Sequence, residues 1–385
     1  MSDELSLYVH IPFCVRKCLY CDFLSFGDKE NLMGDYFKAL SKELKESAND
    51  YRDREVKTVF FGGGTPSLPD ADYICSILND IRDNFKLSNT AEISLELNPG
   101  TASFDKMKRY KEAGFNRLSM GIQSFDDEEL KRIGRIHDSK TALRTYEDAI
   151  RAGFDNINID IMSALPGQSM ESYTDTLKKA VKLEPRHISA YSLIIEEGTP
   201  FFDMDLDLPG EDADRDMYHK TAEILTEHGY HRYEISNYAK DGFECEHNKV
   251  YWKRGNYLGL GLGAASLVDD VRWSNIRKID DYISYFSGKG SGVGVRENVE
   301  NLALEDRIEE FMFLGLRLIE GVDLVEFESL FGQKIEEVYS EVIDKYAELG
   351  LLQRFVEEKT GHEHLCLTTN GLDVSNTVMA DFLLD

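Results

Sequence analysis

Short apolar runs and stretches of helical period alternate through the first half of the chain. Leu5 to Ile11 reads as a strand that ends at a cysteine-bearing loop, and Tyr36 to Glu46 as a helix with Tyr36, Leu40 and Leu44 on one face. Val56 to Phe61 is a strand stopped by Gly62-Gly63-Gly64, and Ile93 to Leu97 another, stopped by Asn98-Pro99-Gly100. Ala113 to Ile122 and Ala152 to Ile161 repeat one plan 39 residues apart: a helix end, a glycine stop and a buried strand. That spacing is one helix–strand unit of a (β/α) barrel with a longer loop. His187 to Ile194 adds a sixth strand. The pattern predicts an α/β fold, a partial (β/α)6 TIM-type barrel over residues 1–200.

The alternation breaks at Asp203 to Asp212, an acidic stretch that reads as a solvated loop. An aromatic- and glycine-rich extension is predicted over residues 201–300, with Tyr233 to Tyr238 opening its irregular part. Helical patterning returns from Glu305, with candidate helices at Phe311 to Leu318 and Val338 to Leu352, where Gly350 is a stop. Leu365 to Gly371 reads as a strand and turn before a last helix. Residues 301–385 are therefore predicted to form a small, mostly helical, winged-helix-like domain.

At 385 residues the chain has material for a large core, and its formal net charge of −27 narrows the partners. Phosphate binding needs basic surface, so no nucleic-acid footprint is expected, nor docking on anionic lipid through a polybasic patch. No apolar run reaches the roughly 18 residues a membrane span needs, and the first residues lack a signal-peptide pattern. A cytoplasmic protein without a transmembrane segment is the expectation.

Cysteine placement adds the chemistry. Of six cysteines, Cys14, Cys18 and Cys21 cluster as Cys-x3-Cys-x2-Cys, while Cys75, Cys245 and Cys366 are scattered. That is no disulfide framework for a chain of this size. Cys75 reads as a small buried core residue and Cys366 as part of a late strand. Three thiolates without a fourth can hold a metal centre and leave one position open for chemistry. A structural zinc site completed by His10, or by Cys245-Glu246-His247, is the alternative, but zinc sites pair cysteines twice and no second pair exists.

The run Tyr8-Val9-His10-Ile11-Pro12-Phe13-Cys14, followed by Cys18, Tyr20 and Cys21, resembles the signature of the radical S-adenosylmethionine (SAM) superfamily, in the form found in its porphyrin-related HemN/HemW group. The resemblance extends over essentially the whole chain. It implies a [4Fe-4S] cluster on Cys14, Cys18 and Cys21, with SAM on the fourth iron. It also implies SAM-site residues at successive strand ends: Gly63, Gly64 and Thr65, then Glu96, Gln123, Arg135 and Asp160. Tyr8 and Tyr20 match aromatic positions near the cluster. A carboxylate in an apolar strand, as at Glu96, needs a partner in any reading.

The group contains oxygen-independent coproporphyrinogen III oxidases and heme chaperones. The oxidases carry a further cysteine two residues after the third, where this chain has Phe23, and a longer segment before the first strand. His247-Asn248-Lys249-Val250-Tyr251-Trp252 is similar to the element that marks the chaperones, which implies heme contact at His247, Asn248, Tyr251 and Trp252. An imidazole can ligate heme iron and the aromatic rings offer a porphyrin flat apolar surface. A lone histidine among aromatics also fits a satisfied core residue. The glycine run from Gly259 to Gly263 lacks the ending of a phosphate loop and reads as close backbone packing. The resemblance thus implies a protein of porphyrin metabolism that passes heme to an acceptor protein, takes an electron donor if SAM is cleaved, and has room for a homodimer. A SAM-dependent tRNA-modifying enzyme fits the cysteines alone and fails on the acidic balance.

Overall fold

The structure, a computed structural model, describes residues 3–288 and 294–384. Its spine is a run of neighbouring parallel strands: β1 (Glu4–Ile11), β2 (Glu55–Gly63), β3 (Lys86–Leu97), β4 (Arg117–Gln123), β5 (Asn156–Ser163) and β6 (His187–Ser192). The expected helix, Tyr36 to Glu46, lies inside α1 (Met33–Tyr51). Further helices α2 (Ala71–Asn84), α3 (Phe104–Ala113), α4 (Asp127–Arg132), α5 (Ser139–Arg151) and α6 (Met170–Lys182) connect the strands. Their starts are written locally. Asp70, Ser103, Asp126, Asp138 and Ser169 each accept a backbone N–H of the first turn. The repeated plan holds as well: Gly114 (φ 101°) and Gly153 (φ 94°) take the left-handed turn that delivers the chain into β4 and β5.

Strand alternation sorts side chains between two environments. Leu7, Val9 and Ile11, Val59 and Phe61, Ile93 and Leu95, Leu118 and Met120, and Ile157 and Ile159 are buried in one core. The alternate positions are polar to an unusual degree: Ser6, Tyr8 and His10; Thr58; Glu92, Ser94 and Glu96; Arg117 and Ser119; Asn158 and Asp160; His187 and Ser189. A barrel interior is ordinarily filled by branched apolar residues. Here the lumen is built to hold charge and hydrogen bonds.

The barrel is partial, and the chain beyond residue 200 extends both edges of its sheet. The acidic stretch does not end the β/α pattern. It leads into α7 (Glu211–Glu227), which packs on α6, and Glu211, Asp212 and Asp214 sit in its first turn, where carboxylates favour a helix N-terminus. The expectation of a solvated loop up to Asp212 read those acids by composition and missed their helix-starting position. Next come β7 (His231–Arg232) and β8 (Asn237–Ala239); β8 pairs antiparallel with β6, and β7 antiparallel with β8. A seven-residue helix, α8 (Glu246–Trp252), precedes β9 (Tyr257–Leu260), which joins β1 in parallel on the other edge. β10 (Ala265–Val268), β11 (Val271–Asn275) and β12 (Arg296–Asn301) follow, with α9 (Ile279–Phe286) between the last two. The glycine run packs as expected. A Cβ at Gly261 would come within 2.6 Å of the Tyr36 hydroxyl, and the buried Glu43 carboxylate accepts from Gly261 N (2.7 Å), Tyr282 Oη (2.5 Å) and Asn275 Nδ2 (2.5 Å).

The C-terminal part has its own core, made by Ile308, Met312, Phe327, Ile343 and Phe382 among others. Helices α10 (Leu304–Gly315), α11 (Leu324–Phe331) and α12 (Ile335–Glu348) pack against a small sheet of β13 (Val322–Asp323), β14 (Leu352–Val356) and β15 (Glu363–Leu367), and short α13 (Thr369–Asp373) and α14 (Ser375–Ala380) close it. Three helices and an antiparallel wing give the winged-helix-like form the sequence predicts, with Gly350 (φ 68°) ending α12. The junction with α8 is polar: Arg254 Nε meets Glu310 at 2.9 Å, and the Arg317 guanidinium lies 4.3 Å from the Trp252 ring. No helix among the described residues is long and apolar enough to cross a membrane.

Candidate cluster and cofactor site

β1 delivers the three cysteines at the C-terminal end of the sheet. The loop is closed at its base by Cys14 N to Phe26 O (2.9 Å) and Phe26 N to Pro12 O (2.8 Å), and anchored at its tip by Leu19 N to Ile133 O (3.2 Å). Cys14 is buried and Cys18 and Cys21 are half-buried, all as free thiols. Burial pushes the Cys21 thiol up to about 11, with the Cys18 and Cys14 side chains near enough to add to that shift. Among the described residues no group of three His, Cys, Asp or Glu side chains is set to ligate a single ion. His10 does not complete a zinc site, since Tyr8 Oη lies 3.1 Å from its Nδ1 and its Nε2 bonds Leu24 O at 2.8 Å.

The glycines of the next strand end make room for this loop. Gly64 lies so close that a Cβ would sit 3.0 Å from Cys14 Sγ and 2.9 Å from Phe13 O. Gly63 has φ 114°, and a Cβ there would press on the His10 ring at 2.6 Å, so only glycine fits. Its N–H donates to Glu96 Oε2 at 3.1 Å. Burial, and then the charge of Asp160, push the Glu96 carboxyl up to about 8. Asp160 is raised too, chiefly by burial, although Asn158 Nδ2 donates to it at 2.6 Å. Two half-buried carboxylates facing one lumen, both raised by desolvation, are chemically prepared for a cation.

The remaining mouth residues converge on the sulfurs. Arg135 Nη1 donates to Cys18 Sγ at 3.5 Å and its Nη2 to Asn98 Oδ1 at 2.7 Å and to Gly121 O. Asn98 Nδ2 donates to Thr65 Oγ1 (2.9 Å), whose hydroxyl reaches Cys14 Sγ at 3.5 Å. Gln123 sits at a bulge with φ 72° and accepts from Tyr191 Oη at 3.1 Å. Tyr20 packs into a small apolar cluster with Leu130 and Phe201, which ties the cysteine loop to the chain beyond β6. Asn98 and His137 are the residues the sequence reading passed over. Both line the same cavity as Cys18, Thr65 and Arg135, and His137 Nδ1 is buried without a partner. Asn98 looked like a turn residue only, and its position directly after the Glu96 strand end was the available signal.

The histidine element lies elsewhere. His247 is buried at 1% exposure against Thr58 of β2, five residues of strand, about 16 Å, below Gly63. Thr58 Oγ1 lies 2.6 Å from its Nδ1 and Tyr251 Oη 2.9 Å from its Nε2. Burial lowers its imidazole to about 3. Its ring stacks on Phe60 (5.1 Å) and Tyr8 (6.5 Å), which fill the lumen between the two ends. Glu92 holds α8 in place, accepting Glu246 N (3.2 Å) and His247 N (3.1 Å), with Arg117 at 3.9 Å. Asn248, Tyr251 and Trp252 are half-buried, and Trp252 Nε1 has no hydrogen-bond partner among the described residues. In this conformation His247 is a satisfied core histidine and does not fit as an axial ligand of heme. Cys75, expected in the core, is half-buried at 3.9 Å from Arg109 O, because its place on α2 faces α3 rather than the sheet.

Residues 8–180 match the radical SAM superfamily, and residues 302–374 the HemN C-terminal domain. The heme chaperone HemW of Bacillus subtilis (strain 168) is 35% identical, covering 98% of this chain and 99% of its own. That of Escherichia coli (strain K12) is 38% identical over 96% and 97%. The mitochondrial radical S-adenosyl methionine domain-containing protein 1 of Danio rerio is 33% identical over 99% and 86%. The structure of coproporphyrinogen III oxidase (HemN) from Escherichia coli, a radical SAM enzyme, superposes with a TM-score of 0.85 at 25% identity, covering 99% of this chain and 90% of its own.

Proposed function

The chain belongs to the HemW family of the radical SAM superfamily, and from that membership we propose that it is a heme chaperone. In this reading Cys14, Cys18 and Cys21 hold a [4Fe-4S] cluster and the barrel mouth holds SAM. Heme is taken up at the α8 element and passed to an acceptor protein. The observation that carries the cluster assignment is the pair of donors on cysteine sulfur, Thr65 to Cys14 and Arg135 to Cys18, beside a glycine with no room for a side chain. Such donors suit sulfur that carries thiolate charge.

Cys14, Cys18 and Cys21 would hold a [4Fe-4S] cluster which, with SAM bound in the mouth, would supply one-electron reductive chemistry. This chain's residues do the holding. Glu96, raised by burial and fixed by Gly63 N, is matched to the ammonium end of SAM, whose charge would draw its proton off. Arg135, Gln123 and Asp160 line the space beyond. Tyr8 and Phe60 close the lumen beneath and keep the mouth separate from α8. Any cleavage needs an external electron donor. The work is placed in the cytoplasm, and a homodimer is compatible with it.

Heme contact at His247, Asn248, Tyr251 and Trp252 requires α8 to move off β2, exchanging the Thr58 and Tyr251 hydrogen bonds of His247 for iron. The helix is only seven residues long, so the contacts to exchange are few: the Glu92 cap, the Thr58 contact and Phe60 stack of His247, and the Arg317 contact of Trp252. The second reading is coproporphyrinogen III oxidation, favoured by the structural likeness to HemN. Against it stands Phe23, 68% exposed where the oxidases have a cysteine. Heme titration tests the choice: a saturable Soret shift is expected, together with no conversion of coproporphyrinogen III under dithionite and SAM. Absence of the shift, or robust product formation, would reject the chaperone reading.

A further inference from the structure

We propose that Asn98 is the positioning residue that aims hydrogen bonds at two cluster thiolates at once; this rests on the reading of Cys14, Cys18 and Cys21 as cluster ligands. A guanidinium has donors only, so the Asn98 atom 2.7 Å from Arg135 Nη2 must be its carbonyl oxygen. That fixes the amide, and its nitrogen then faces Thr65 Oγ1 at 2.9 Å. An amide nitrogen only donates, so the Thr65 oxygen accepts there and its own proton is free for another acceptor. Cys14 Sγ, at 3.5 Å, receives it. On the other side Asn98 Oδ1 and Gly121 O together hold the guanidinium plane, which leaves Nη1 directed at Cys18 Sγ, also 3.5 Å away. The packing admits little slack. A Cβ at Gly121 would come to 2.8 Å from Asn98 Oδ1 and 3.3 Å from Arg135 Nη2.

One side chain therefore links the donors of two of the three sulfurs, from the ends of β2 and β3 and the loop between α4 and α5. Donors on cluster sulfur stabilise the extra negative charge of the reduced state and raise the reduction potential. Asn98→Asp keeps the shape and reverses the logic. Its second oxygen accepts the Thr65 proton, turning that hydroxyl away from Cys14, and adds negative charge beside the cluster. Thr65→Val removes the Cys14 donor without adding charge.

The test is the midpoint potential of the reconstituted cluster, without SAM, followed by EPR-monitored redox titration at matched iron content. Thr65→Val is expected to fall below wild type and Asn98→Asp further still, while Thr65→Ser, which keeps the hydroxyl, returns to the wild-type midpoint. Asn98→Asp unchanged from wild type overturns the proposal, as does Thr65→Val unchanged. Should Asn98→Asp fail to hold a cluster, Asn98→Ala replaces it and is expected to lie below wild type; an unchanged midpoint there overturns it equally. Wild-type protein that takes up no iron would instead reject the cluster reading itself.

Discussion

The two ends of the barrel spend their polar residues differently. At the mouth, Thr65, Asn98 and Arg135 direct hydrogen bonds at sulfur, and Glu96 and Asp160 face each other's charge with few partners. At the base, Glu92, Thr58, His247 and Tyr251 satisfy one another within the fold. The first arrangement is complete only with something added; the second is complete already and must open to receive anything. Carboxyls deprived of solvation resist carrying charge, so the raised pair Glu96 and Asp160 facing one lumen is the physical mark of a site at the mouth.

The largest expected effect breaks the mouth. Cys18→Ala should abolish the brown visible absorbance after anaerobic reconstitution, checked by spectrum and iron content, and an unchanged spectrum would sink the ligand assignment. Breaking the base should cost stability. Glu92→Ala removes the cap of α8 and leaves Arg117 buried without its carboxylate, for a loss of about 3–5 kcal/mol in urea unfolding. Glu92→Gln keeps one acceptor for the α8 N–H groups but also removes the charge facing Arg117, so its loss should be smaller than that of the alanine variant only by the retained cap, about 1 kcal/mol. If α8 must move to admit heme, Glu92→Gln should also bind heme more tightly than wild type.

How far the sequence reached follows the same division. Strand order and the glycine stops were legible because local pattern and barrel topology coincide at strand ends, whereas the mouth residues came from the family resemblance. Asn98 was hidden behind its neighbours Pro99 and Gly100, which make any strand end look like a turn. The state of His247 was illegible for another reason: its partners Thr58 and Tyr8 come from strands nearly two hundred residues or more away in sequence. Helix α7 was lost because acids at a helix start and acids in a loop have the same composition.

Smaller effects sharpen the contrast. Glu96 has its carboxyl pushed up from 4.5 to about 8 in the fold. A raised carboxyl stabilises the folded state fully below about 4.5, and that contribution is lost as pH climbs through 8. The cofactor-free protein should therefore lose melting temperature from pH 5 to 8 relative to Glu96→Gln, and saturating SAM should cancel the difference in wild type only. Melting curves at four pH values would reveal it, and parallel curves would contradict the buried-carboxyl account. Least of all, Phe23→Cys should change stability within about 0.5 kcal/mol, since the side chain is exposed. It should also confer no coproporphyrinogen III oxidation, measured by product formation.

The separation of the two ends is tested most directly by heme titration of three proteins side by side: wild type, the triple Cys14→Ala, Cys18→Ala, Cys21→Ala variant, and His247→Ala. Wild type and the cysteine variant should give the same saturable Soret shift, because about 16 Å of filled lumen lies between cluster loop and α8, while His247→Ala should lose it. Heme binding that disappears with the cysteines and survives loss of His247 would contradict the account.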